Sequence, residues 1–89
     1  MPTNHLNASI KKMEKLCTGV RRPTKTRKIY SCQGQYGGAV VMRNPLTNGW
    51  TLFCYEPGNT EDKADDKFEY KTESDAKFYG LSFVTTGGW

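Results

Sequence analysis

Three cysteines, one histidine and a dense run of cations are the residues whose types could do chemistry in this chain. Cys17, Cys32 and Cys54 are odd in number and no two stand at C-x-x-C spacing. Neither a disulfide framework nor a zinc site is therefore expected. A thiolate nucleophile at Cys17 or Cys54 needs a base beside it, and His5, near one end, is the sole imidazole. No Ser-His-Asp or Cys-His arrangement can be assembled from that set. The thiols read as small buried hydrophobes, whereas a thiol enzyme would carry a cysteine of lowered pKa. The acids Glu61, Asp62, Asp65 and Asp66 lack the alternating ligands, central glycine and closing Glu of a calcium loop. "GQYGG" (34–38) runs into a strand-like segment, so its glycines fit a turn rather than a phosphate loop opening a helix. No enzyme activity, cofactor or metal is expected.

The cations carry more information. "GVRRPTKTRKIYSCQGQYGG" (19–38) holds Arg21, Arg22, Lys25, Arg27 and Lys28 in its first ten positions. Thr24 and Thr26 lie between them, and threonine hydroxyls also donate to phosphate oxygens. Lys11, Lys12 and Lys15 precede them. Eight of the 13 Lys and Arg thus fall within residues 11–28, beside the single acid Glu14, while eight of the nine acids fall within 56–75. A two-signed molecule is expected, with a basic entrance and an acidic flank. Neutralising such a cluster with phosphates gives binding with a steep salt dependence. Tyr30, Tyr36 and Trp50 stand on adjacent elements, where aromatic rings can stack on bases or anchor a protein contact.

These side chains must be held by a small body. Eighty-nine residues make one domain over 1–89, and an apolar content of 36% is lean for a core. Aromatic residues at 12% compensate through the large area each one buries. No run of 18 apolar residues exists to span a bilayer. The first seventeen residues also lack the apolar stretch of a secretory signal, so a cytoplasmic protein is expected.

Leu6, Ile10, Met13 and Cys17 recur at helical spacing and predict an amphipathic helix over 4–17, capped at Thr3 or Asn4 and closed at Gly19. Residues 20–28 show no period, and Pro23 bars a continued helix, so this is a basic connector. An antiparallel sheet of three or four strands is expected over 29–72. It comprises "TRKIYSCQ", "AVVMRN", "WTLFCYE" and "KFEYKT", with an Asn48-Gly49 hairpin between the second and third. Thr72 and Asp75 have the spacing of a helix cap, and Gly80 suits a stop, which predicts a short helix over 73–80. "LSFVTTGGW" could add an edge strand through Leu81 and Phe83. The fold class is α+β, with the helices on one sheet face.

The run "VVMRNP", "GWTLFCYE" and "KFEYKTESDAKFYG" resembles the arm-type DNA-binding domains of phage integrases and their AP2-like relatives. That resemblance implies a three-stranded sheet entering the major groove with a helix bracing it from behind. It covers roughly half of the chain. In size and composition the chain is also similar to the small proteins that bacteriophages deploy against host machinery, anti-CRISPR proteins among them. The expectation is a non-enzymatic binding or inhibitor protein of phage or mobile-element type. It would occupy a surface of a nucleic-acid-handling complex through Lys11, Lys12, Lys15, Arg21, Arg22, Lys25, Arg27 and Lys28, with Tyr36 and Trp50 as anchors. The alternative is a DNA- or RNA-binding module using the same cations. A free sheet edge would let two copies pair, and no membrane partner is expected.

Overall fold

The computed structural model describes residues 2–26 and 28–87, with the side chains of residues 2–7 and of Glu61 outside that description. The chain order is α1 (Pro2–Leu16), β1 (Gly19–Arg21), β2 (Tyr30–Gly34), β3 (Gly37–Asn44), β4 (Gly49–Tyr55), a single 3-10 turn (Glu61–Lys63), β5 (Asp66–Tyr70) and α2 (Glu73–Thr86). The strands form one antiparallel meander in the order β1-β2-β3-β4-β5.

Register explains the core. Val20, Cys32, Ala39 and Cys54 lie in one cross-strand row, and Tyr30, Val41, Leu52 and Phe68 in the next. Alternation along each strand sends both rows to the same side. There they meet Ala76, Leu81 and Val84 of α2 and Ile10 of α1 in one buried cluster. The α+β class is as expected, but the sheet has five strands where three or four were expected.

The added strand comes from the supposed connector. Thr18 N donates to the Gln33 carbonyl at 2.9 Å, and Gly19–Arg21 then pairs with Gln33–Ser31. Three residues are too short to show a period, and what recruits them is Val20 packing over the core across from Cys32. Gly19 accordingly sits in this strand rather than in a left-handed cap, since positive φ among glycines is confined to Gly37, Gly58 and Gly87 among the described residues.

The second helix also departs from expectation. Thr72 Oγ1 accepts from Asp75 N at 3.1 Å, as the spacing predicts. The helix then runs through Gly80 and absorbs Leu81 and Phe83, ending at Gly87 with φ 80°. No edge strand forms there. Gly80 is a point of close approach: a Cβ on it would lie 3.0 Å from Leu52 Cδ1 and 3.2 Å from Ala39 Cβ. The roughly 1 kcal/mol that glycine costs a helix is offset by bringing α2 down onto β3 and β4. Between β3 and β4 the expected two-residue turn becomes a four-residue loop, 45–48, in which Asn48 alone takes the left-handed conformation, at φ 62°.

Candidate functional site

α1 carries Lys11 and Lys15 one turn apart on an exposed side. Between them in sequence, Glu14 turns inward, and its side chain is 13% exposed. Its carboxylate accepts twice, from the Tyr30 hydroxyl at 2.7 Å and from Arg22 Nη2 at 3.0 Å. This ties the helix to β2 and to the residue that follows β1. Lys77 of α2 approaches from the other side, its Nζ 4.8 Å from the centre of the Tyr30 ring and 3.8 Å from Glu73.

Lys11, Lys15, Arg22 and Lys77 together rim a cleft of about 690 Å³, with Glu14 in its wall and Ile10, Cys17 and Val20 as its apolar lining. Four cations against one carboxylate leave the lining with a formal charge of +3. Pockets of this size hold small ligands or a short stretch of a macromolecule. Such a lining sets positive charge beside apolar surface.

The expected contact residues divide. Lys11, Lys15 and Arg22 come together here. Lys12 is exposed on α1 but does not line the cleft. Arg21 pairs with Ser31, and alternation puts it on the sheet face opposite Val20, away from the helices. Lys25 and Lys28 are exposed along the connector, and Arg27 lies outside the described residues. Tyr36, 41% exposed, sits in the β2–β3 turn, its backbone N donating to the Val84 carbonyl at 3.2 Å. Trp50 is half-buried at the other end of the sheet, across from Arg43 and Tyr70, with the Arg43 guanidinium 5.9 Å from its ring centre. Some six residues of β3, about 20 Å of strand, separate those two ends, so the aromatic pair does not join one site with the cations.

Lys77 is the site residue that sequence reasoning passed over. No local signal marks it, because it reaches the cleft only through the crossing of α2 over the sheet. Among the described residues the ion pairs are Arg22–Glu14 and Lys77–Glu73, so none joins the basic segment to the acids of 56–66. In that acidic stretch Asp65 accepts from the Glu56 backbone N at 2.9 Å, which serves the loop. Among the described residues no group of three His, Cys, Asp or Glu is placed to hold a metal. No described helix is long and apolar enough to cross a membrane.

The thiols differ sharply. Burial pushes Cys54 up to about 12, with Asp66 adding to the effect. Cys32 rises through its hydrogen bond with Cys17 and through burial. Cys17 is lowered by that same hydrogen bond, against the opposing effects of burial and of Glu14.

Comparison with protein-family models, with curated proteins and with solved structures finds no match for this chain.

Proposed function

We propose that this chain is a non-enzymatic binding protein whose cleft receives an acidic, partly apolar segment of a protein within a nucleic-acid-handling complex. In this reading it acts as a stoichiometric inhibitor of the phage or mobile-element kind. The observation that carries the reading is the cleft itself, in which four cations, one of them also paired with Glu73, stand against one lining carboxylate around apolar side chains. A phosphodiester backbone would use the cations and leave the floor unfilled. A segment carrying both Asp or Glu and apolar side chains uses both, and charge complementarity would speed its encounter and fix its orientation.

Direct binding of nucleic acid is the second reading. Arg21, Lys25 and Lys28 favour it, being exposed outside the cleft and extending the positive surface along the connector. Capture from host extract with the wild type and with the double variant Lys11→Glu/Lys15→Glu distinguishes the two. A protein retained by the wild type through a nuclease wash and lost by the variant supports the first reading. Retention that nuclease abolishes supports the second, as does tight duplex binding whose salt slope falls in Arg21→Ala/Lys25→Ala. A protein held equally by wild type and cleft variant overturns the role of the cleft.

A further inference from the structure

Cys17 opens onto the cleft, unlike the other two thiols. It is half-buried and lines the cavity, with Sγ 3.4 Å from the Met13 carbonyl oxygen. Cys32 and Cys54 are 2% and 0% exposed and point into the core. Lys11, Lys15, Arg22 and Lys77 line the same cleft as Cys17. A reagent carrying carboxylates is therefore concentrated where the accessible thiol lies, and a neutral one is not.

We propose that Cys17 is an S-thiolation site for anionic disulfides of the glutathione class. The Cys17 thiol first loses its proton to solvent. Its thiolate then attacks one sulfur of the disulfide, so that a new S–S bond forms at Cys17 and the reagent's own S–S bond breaks. The second half leaves as a thiolate and takes a proton from water. One disulfide is consumed and one is made, so no further oxidant is required. Each glutathione unit has more carboxylates than ammonium groups, which suits the +3 lining. The Cys17 thiol lies below its ordinary value, chiefly through its interaction with Cys32, against the opposing effects of burial and of Glu14. The attached group would fill the cleft and cancel part of its charge. This inference uses the shape and charge of the cleft and does not depend on which macromolecule docks there.

The test exposes the folded, reduced chain to glutathione disulfide and, separately, to the neutral bis(2-hydroxyethyl) disulfide. Adducts are counted by intact mass and located by peptide mapping. Each rate is divided by that of N-acetylcysteinamide with the same reagent. The expected result is a single adduct at Cys17, absent in Cys17→Ser, with a normalised rate about tenfold or more higher for the anionic reagent. That preference should shrink in high salt and in Lys11→Gln/Lys15→Gln. Reaction at Cys32 or Cys54 as fast as at Cys17, equal normalised rates for the two reagents, or no adduct at all would overturn it.

Discussion

Glu14 joins three elements through one carboxylate. The Tyr30 hydroxyl that donates to it belongs to a residue only 1% exposed, whereas Arg22 is largely in solvent. The two bonds therefore differ in worth. An exposed ion pair contributes up to about 1 kcal/mol, while a buried hydroxyl stripped of its acceptor costs about 1–3 kcal/mol. Glu14→Ala should destabilise the fold by about 1–3 kcal/mol in urea titration, and by clearly less in a Tyr30→Phe background, where no donor is left unpaired. Equal costs in both backgrounds would show that the bond contributes nothing.

The raised thiol and phenol make a second prediction at this scale. Cys54 is lifted from 9.0 to about 12, and Tyr30 is also raised, by burial first and then by its bond to Glu14. Both groups hold their protons in the folded state beyond the pH at which the unfolded chain gives them up. Their contribution is whole below about pH 9 and lost as the pH climbs towards 12, at up to about 1.4 kcal/mol per pH unit for each group. Urea midpoints measured from pH 7 to 11 should be level at first and fall beyond pH 9, with a shallower fall in Cys54→Ala. A flat profile to pH 11 would contradict the burial of these groups.

At the level of elements, the legible parts are those whose cause is local. The helical period of Ile10, Met13 and Cys17 and the cap pair Thr72 and Asp75 each announce themselves within a turn, and the start of α2 lies where they indicate. α1 spans Pro2–Leu16 rather than 4–17, so Thr3 and Asn4 are helical rather than capping and Cys17 follows the last helical residue. Tyr30 and Cys32, and Leu52 and Cys54, stand two apart along their strands and are buried together, as strand alternation requires. What could not be read is what a distant partner decides. β1 exists because Val20 finds the core, and Gly80 stays helical because the sheet lies against it. The site divides in the same way: Lys11 and Lys15 follow from the helix pattern, whereas Lys77 enters and Arg21 leaves through pairings that no local window contains.

Two substitutions test these contacts. A Cβ on Gly34 would lie 2.3 Å from the Val84 carbonyl oxygen at the place where α2 meets the β2–β3 turn. Gly34→Ala should therefore cost at least about 2 kcal/mol, since backbone must move to admit it. Thr72→Ala removes the cap and should cost about 1 kcal/mol. Thermal or urea unfolding measures both, and a neutral Gly34→Ala would mean that the helix does not sit so close.

The whole molecule keeps its charges apart by strand order. β1, with the basic segment around it, forms one edge of the sheet, and β5, with the acids at 61–69 around it, forms the other, four strand spacings or roughly 19 Å away. The body is small and evenly filled: its radius of gyration is 12.1 Å, close to the roughly 12 Å of a compact chain of this length. A separation larger than the Debye length of about 8 Å at physiological salt lets each edge present its own sign to a partner. Binding at the basic edge should accordingly weaken several-fold between 50 and about 300 mM salt, while stability changes little.

The most direct test is a backbone amide NMR titration of the labelled chain with an acidic peptide alternating Glu and Leu, run beside a short DNA duplex. The account predicts peptide-induced shifts concentrated at residues 10–22 and around Lys77, lost in Lys11→Glu/Lys15→Glu, with the duplex producing weaker and more diffuse changes. Shifts centred instead on Lys25 and Lys28 with the duplex alone, or an acidic peptide that leaves the cleft unperturbed, would contradict it.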